Sequence, residues 1–119
     1  MRKRVLIVDD CESAAEQLAR IIDGLPGFEV AGFAQDGAEG VRQFAALRPE
    51  VVCMDIVMPN LDGLQAARTI LHIAPGTIIY MISSIADVPS KLRQAVALGA
   101  RDIMPKPFDA EDIRAMLLV

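Results

Sequence analysis

Five short apolar segments alternate with five segments of helical periodicity along the chain. The apolar segments cover residues 3–8, 28–34, 51–54, 77–82 and 100–104. Each is followed by apolar residues spaced as on one face of a helix, as in the set Leu18, Ile21, Ile22 and Leu25. Strands that alternate with helices form a parallel sheet, and right-handed crossovers place the helices on both of its faces. The alternation therefore predicts an α/β fold, a doubly wound five-stranded parallel sheet with five helices.

The length and the turn residues predict a single domain over residues 1–119. A chain of 119 residues, 53% of them hydrophobic, suits one compact core and not two. Gly99 fits a helix C-cap, and the predicted N-caps of the last three helices are Asp62, Asp87 or Ser90, and Asp109. The final helix ends on five apolar residues. Either it packs closely onto the sheet, or the domain was cut from a longer protein with a C-terminal output domain; we favour the second.

The charge and the cysteines argue against several classes of partner. The net charge is −4, and the basic cluster at residues 2–4 flanks the first strand, so we expect no direct binding of nucleic acid. No apolar segment approaches the length of a membrane span, and we expect no membrane association. Cys11 and Cys53 lack metal or redox spacing, which predicts reduced thiols in a cytoplasmic protein. His72 stands alone in the third helix and is predicted to be a surface residue.

Polar residues follow four of the strands at the point where each strand ends. They are Asp9 and Asp10 after the first strand, Asp55 after the third, Ser83 and Ser84 after the fourth, and Lys106 after the fifth. Each has a simpler explanation on its own, such as a helix cap, a loop hydroxyl or a solvated charge. The carboxyl ends of parallel strands lie on one edge of the sheet, where ligands bind in open α/β folds. We therefore expect three carboxylates, a hydroxyl and an ammonium group to converge.

Three carboxylates in one pocket require a cation. Two carboxylates about 4 Å apart repel by roughly 4 kcal/mol at an effective dielectric constant near 20. Lys106 offsets part of this charge, and a hard divalent ion that keeps several waters would offset the rest, which favours Mg²⁺. A carboxylate beside Mg²⁺ and a lysine can attack phosphorus. The pattern predicts Asp55 as the nucleophile, Asp9 and Asp10 as metal ligands, and contacts from Lys106 and Ser83 to the phosphoryl oxygens.

Four sequence blocks in this order and spacing resemble a known family. The blocks "VLIVDD", "VVCMDIVMPNLDG", "MISS" and "PKPF" are similar to the receiver domain of bacterial two-component response regulators. The resemblance implies a flavodoxin-like fold with strand order 2-1-3-4-5, a cis peptide bond before Pro107, and Asp55 as acceptor of a phosphoryl group. It also implies that Asp10, Asp55 and the backbone carbonyl of Val57 bind Mg²⁺ directly, while Asp9 binds it through water.

The resemblance also implies a switch and its partners. A sensor histidine kinase or a phosphotransfer protein would donate the phosphoryl group. An output domain or target protein would bind through the fourth helix, fifth strand and fifth helix, and a homodimer is compatible with the family. The domain would be a signalling switch, not an enzyme with a separate substrate. One position departs from the family: Ile103 stands where an aromatic residue usually turns inward on activation, so we expect the loop after Ser83 to carry more of the coupling.

Three alternatives have to be weighed against this interpretation. A flavodoxin-type electron carrier would share the fold, but the first loop "DDCESA" is acidic and lacks a cradle for a flavin phosphate. A phosphatase with an aspartyl nucleophile would need a second acid where Val57 stands. A receiver-like scaffold that binds partners without phosphorylation remains open because of Ile103. The "MISS" block resembles the receivers of chemotaxis methylesterases, although a transcription factor or a stand-alone domain fits almost as well.

Overall fold

The computed structural model describes residues 2–118 and forms one five-stranded parallel sheet. The strands lie in the order β2-β1-β3-β4-β5, which confirms the predicted fold class and strand order. In chain order the elements are β1 (Lys3–Val8), α1 (Glu12–Asp23), β2 (Phe28–Ala34), α2 (Gly37–Leu47), β3 (Val51–Asp55), α3 (Gly63–Ile73), β4 (Ile78–Ser84), α4 (Val88–Leu98), β5 (Asp102–Lys106) and α5 (Ala110–Leu117).

The sheet separates two apolar cores. Val5 and Ile7 of β1 face the core that contains α1 and α5, while Leu6 and Val8 face the core that contains α2, α3 and α4. All five residues of β3 are buried, because this central strand is covered on both faces. An apolar run without polar alternation is what such a strand requires.

Some predicted boundaries differ from those observed. The β5 strand covers Asp102–Lys106 and not 100–104, because Ala100 N–H still bonds the carbonyl of Ala95 at the end of α4. Leu25 is buried but lies beyond α1, which ends before Gly24. Thr77 precedes β4, and its N–H bonds back to the carbonyl of Ala74.

The helix caps lie at the four predicted positions, and one of the N-caps lacks a side-chain cap bond. The side chains of Asp62 and Asp109 accept hydrogen bonds from the first turns of α3 and α5, and Gly99 ends α4 in the left-handed conformation with φ of 114°. Asp87 occupies the N-cap position of α4, but its carboxylate makes no cap bond. It accepts a hydrogen bond from the Ser84 hydroxyl instead, at 2.8 Å.

Within residues 2–118, no helix is both long enough and apolar enough to cross a bilayer. The α4 helix has the fewest buried residues of the five, since Ala95 is its one buried residue. By contrast, α1 buries four residues of its apolar face.

Candidate functional site at the carboxyl edge of the sheet

Three carboxylates from two neighbouring strands meet at the carboxyl edge of the sheet. Asp9 and Asp10 follow β1 directly, and Asp55 is the last residue of β3, which pairs with β1. One ligand oxygen from each lies within 4.8 Å of the others. Asp9 and Asp55 are buried and Asp10 is exposed, so the cluster is accessible to solvent on the side of Asp10.

Lys106 joins this cluster from the edge strand. Its Nζ lies 2.8 Å from Asp9 Oδ2 and 3.0 Å from Asp55 Oδ2, so one ammonium group bridges two acids. The carbonyl of Lys106 accepts a hydrogen bond from the N–H of Ile85, which ties the end of β5 to the turn after β4. The Lys106–Pro107 peptide bond is cis, which confirms the expectation from the family resemblance.

Burial and like charge make ionisation of Asp55 unfavourable. Loss of hydration, followed by the charge of Asp9, raises the pKa of Asp55 to about 6, although Lys106 acts in the opposite direction. Burial acts to lower the pKa of Lys106, but the close contacts and negative charges of the Asp9 and Asp55 carboxylates outweigh it and raise that pKa above its ordinary value. The single ammonium group therefore leaves the pocket with excess negative charge.

The oxygen atoms of the pocket fit a hard divalent cation. Asp9 Oδ1 accepts the N–H of Cys11 at 2.9 Å, and Asp55 Oδ1 accepts the N–H of Val57 at 3.2 Å. Asp9 Oδ2 is buried, and among residues 2–118 it receives no directed hydrogen bond, although the Lys106 ammonium lies beside it. A buried carboxylate oxygen that lacks a hydrogen bond, with two further carboxylates beside it, offers the oxygen ligands that Mg²⁺ prefers.

The remaining predicted residues occupy distinct positions around the pocket. Ser83 is buried near the end of β4, one residue beyond Ile82, which pairs with Asp55. Val57 is 72% exposed in the loop after β3. Ile103 is 2% exposed and packs in the core beneath α4, so the usual aromatic position is filled by an aliphatic side chain.

Residues outside the pocket agree with the sequence interpretation. His72 is exposed on α3, and Cys11 and Cys53 are both free thiols. Cys53 is fully buried in β3, and this burial raises the pKa of its thiol to about 12.

Two features of the loop after β3 were not predicted. The N-cap prediction at Asp62 makes Gly63 only the first residue of a helix, but a Cβ atom at Gly63 would overlap the carbonyl group of Asp55. Glycine is required for this close approach of two backbone segments. The Asp62-Gly63 pair was the feature of the sequence that could have indicated it. The second feature is a hydrogen bond from Asn60 to Asp36, 24 positions apart, which no local pattern indicated.

A family comparison agrees with this geometry. The family described as "Response regulator receiver domain" matches residues 5–118. The chain belongs to this family. Receiver domains act in two-component, phosphorylation-activated signalling and generally bind Mg²⁺ at an acidic pocket. The match confirms the resemblance and favours a signalling domain over an electron carrier or a phosphatase.

Relatives of two lengths are similar to the chain. A protein-glutamate methylesterase/protein-glutamine glutaminase of Thermotoga maritima is 42% identical over 105 residues, which are 87% of this chain and 30% of the relative. The chemotaxis protein CheY of Thermotoga maritima is 40% identical over 108 residues, 91% of this chain and 88% of that protein. The chain thus spans about a third of the methylesterase and most of CheY.

Solved structures share the fold over almost the whole chain. The response regulator domain of Thermotoga maritima CheB has a TM-score of 0.83 at 36% identity, covering 99% of this chain and 92% of that one. The CheX-CheY-BeF3-Mg²⁺ complex of Borrelia burgdorferi contains a chain with a TM-score of 0.90 at 27% identity, covering 98% of this chain and 87% of that one.

Proposed function

We propose that Asp55 accepts a phosphoryl group from the phosphohistidine of a histidine kinase or phosphotransfer protein. The convergence of Asp9, Asp10, Asp55 and Lys106 on one pocket carries this proposal. In the step, an Asp55 carboxylate oxygen forms a bond to phosphorus while the nitrogen–phosphorus bond of the donor breaks. The freed imidazole nitrogen then takes up a proton. The acyl phosphate formed is an aspartyl phosphate, a known class of covalent intermediate.

Mg²⁺ is the cofactor that this pocket fits. Asp10, Asp55 and the carbonyl of Val57 would hold the ion directly, and Asp9 would hold it through water. When bound, Mg²⁺ would offset negative charge on the phosphoryl oxygens, as it does in other phosphoryl-transfer sites. Support comes from the carboxylate cluster and from the complex of a structural relative that contains Mg²⁺ and BeF3.

Lys106 and Ser83 are proposed to contact the phosphoryl oxygens. The ammonium group of Lys106 now bridges Asp9 and Asp55, so a phosphoryl group on Asp55 would give it a new anionic partner. Ser83 is positioned on the neighbouring strand, and its hydroxyl group can donate to a phosphoryl oxygen. Movement of either residue would be transmitted to the turn after β4, because Ile85 N–H is bonded to the Lys106 carbonyl.

The output surface is proposed to comprise α4, β5 and α5. Leu92 and Val96 lie one turn apart on α4 and are 39% and 52% exposed. They provide an apolar stripe for an output domain or a target protein, and Ile85, in the turn before α4, is also exposed. The proposal places the chain in the cytoplasm, where free thiols such as Cys11 and Cys53 stay reduced.

Intact-mass measurement tests the acceptor role directly. The chain is incubated with a small acyl phosphate and Mg²⁺, with the Asp55→Asn variant as control. The wild type is expected to gain the mass of one phosphoryl group, and the gain should require Mg²⁺. An equal gain in Asp55→Asn would overturn the choice of Asp55, and no gain in either protein would favour the phosphorylation-independent scaffold.

A further inference from the structure

The loop between β3 and α3 is held by hydrogen bonds where it passes the acidic pocket. At its start, Ile56 N–H bonds the carbonyl of Ile82 at 3.0 Å, and Gly63 N–H bonds the carbonyl of Ile56 at 2.9 Å. Val57 follows, with its side chain 72% exposed. Val57 N–H donates to Asp55 Oδ1 at 3.2 Å. The half-buried side chains of Met58 and Leu61 pack against the apolar core, whereas the Val57 side chain itself adds little to holding the loop.

A hydrogen bond from Asn60 to Asp36, the N-cap residue of α2, holds the later part of the same loop. Asn60 Nδ2 donates to Asp36 Oδ2 at 2.9 Å. The other oxygen of the same carboxylate, Oδ1, accepts the N–H of Glu39 at 2.8 Å and so caps α2. One carboxylate therefore joins the start of α2 to the loop that follows Asp55.

The backbone conformation of Asn60 and the close approach of Gly37 to the loop are both compatible with this hydrogen bond. Asn60 has a φ of 70°, in the left-handed region that asparagine tolerates better than most residues. Gly37, the first residue of α2, lies so close to the loop that a Cβ atom would overlap the carbonyl oxygen of Leu61. The start of α2 and the loop are thus in direct backbone contact beside the Asn60–Asp36 hydrogen bond.

The carboxylate in this connection is charged at neutral pH. The N–H of Glu39, followed by the Asn60 amide, lowers the pKa of Asp36 below its ordinary value. Hydrogen bonds to an ionised acceptor are stronger than those between neutral groups.

We propose that Asp36 and Asn60 are positioning residues for the cation site, because their hydrogen bond holds the loop that carries the Val57 carbonyl. This inference rests on the proposed function, in which that carbonyl is a metal ligand. Without the hydrogen bond, the loop samples more conformations, and the cation must order it on binding. Affinity for Mg²⁺ then falls, as it does when residues that orient metal ligands are lost.

The first test removes the amide and keeps the backbone conformation. Asn60→Gly deletes the side chain at a residue that already has positive φ, so the turn itself is not strained. Titration calorimetry with Mg²⁺ on the full chain is expected to show about threefold to tenfold weaker binding. The control is Gln94→Ala, which removes an exposed amide from α4, and its affinity should equal that of the wild type.

The second test restores the connection with exchanged groups. Asn60→Asp places a second carboxylate against Asp36, and the repulsion should weaken Mg²⁺ binding despite the added negative charge. In the double variant Asp36→Asn/Asn60→Asp, the new amide at position 36 can donate to the new carboxylate at position 60. This double variant has the net charge of the wild type, and it is expected to recover most of the lost affinity.

Hydrogen exchange separates a positioning role from a general loss of stability. In metal-free protein, Asn60→Gly should speed exchange at the amides of residues 57, 58, 60 and 61 and leave β3 unchanged. Wild-type affinity in Asn60→Gly, or no recovery in the double variant, overturns this inference and leaves the proposed function intact. Absence of Mg²⁺ binding by the wild type overturns both.

Discussion

Asp55 is a carboxylate in surroundings that disfavour its charge. It is 7% exposed, Asp9 lies beside it, and the Lys106 ammonium group is shared between the two acids. Burial, followed by the charge of Asp9, raises the pKa of Asp55 to about 6, which is high for a carboxylic acid. Strongly perturbed carboxylates in a cleft are typical of functional sites. The same perturbation makes the residue costly for the stability of the metal-free domain.

Replacing Asp55 by Asn is expected to stabilise the metal-free protein at neutral pH. The folded pKa of about 6 lies above the unfolded value of about 3.9, so the folded state binds the proton more tightly. The stability contributed by the protonated carboxyl is therefore full below about pH 4 and is lost as pH rises through about 6. At about pH 7.5 the free energy of unfolding should be higher in the variant by about 1 to 2 kcal/mol.

Urea unfolding in the presence of a chelator measures this effect. The variant and the wild type should have similar stability near pH 4 and should diverge toward neutral pH. Glu16→Gln, a change at an exposed position on α1, serves as control and should follow the wild type. A constant difference between wild type and Asp55→Asn at all pH values would contradict the assigned pKa shift.

At the scale of elements, α4 differs from the other helices in how it is held. Ala95 is its one buried residue, and a hydrogen-bonded turn precedes its first residue. That turn is closed by the Ser84 hydroxyl, which donates to Asp87, and by Asp87 N–H, which donates to the Ser84 carbonyl. Ser84 follows the proposed phosphoryl contact Ser83 directly, so a shift at the pocket acts on the closure of this turn.

Loss of the Ser84 hydroxyl is expected to loosen the start of α4. In Ser84→Ala, hydrogen exchange at the first amides of α4 should be about threefold to tenfold faster, the effect of one ordinary hydrogen bond. Exchange in α1 should not change, because α1 buries four residues and packs against β1, β2 and α5. Ser13→Ala, at an exposed position on α1, is the matched control. Unchanged exchange in α4 would show that other contacts hold this helix.

The elements also show where sequence patterns stop being informative. The bounds of β1 and β2 were predicted correctly because apolar runs there begin and end at polar or turn residues. The β5 boundary was wrong because the C-cap at Gly99 extends helical bonding to Ala100, where composition alone favours a strand. The pairing of Asn60 with Asp36 depends on how a loop lies against a helix far away in sequence. The acidic pocket was predictable because parallel topology alone brings strand ends together.

At the scale of the whole molecule, the sheet lies between two apolar cores and has acidic residues at its carboxyl edge. Apolar cores on both faces fix β1 and β3, so Asp9 and Asp55 cannot separate to relieve their repulsion. The fold therefore holds carboxylates that repel each other close together, and a bound cation would reduce this repulsion. Stability of the domain and occupancy of the site should consequently be linked.

Mg²⁺ is expected to raise the stability of the folded domain, and Asp10→Asn is expected to reduce this gain. A ligand that binds only the folded state adds about 2.7 kcal/mol at a concentration 100 times its dissociation constant. Asp10→Asn removes one proposed ligand and also relieves repulsion, so the metal-free variant should be at least as stable as the metal-free wild type. Thermal unfolding in chelator and in rising Mg²⁺, at constant ionic strength, measures both effects. An equal increase in both proteins would mean that Mg²⁺ acts elsewhere, whereas stabilisation confined to the wild type would identify the acidic edge as the site that couples the cation to the fold.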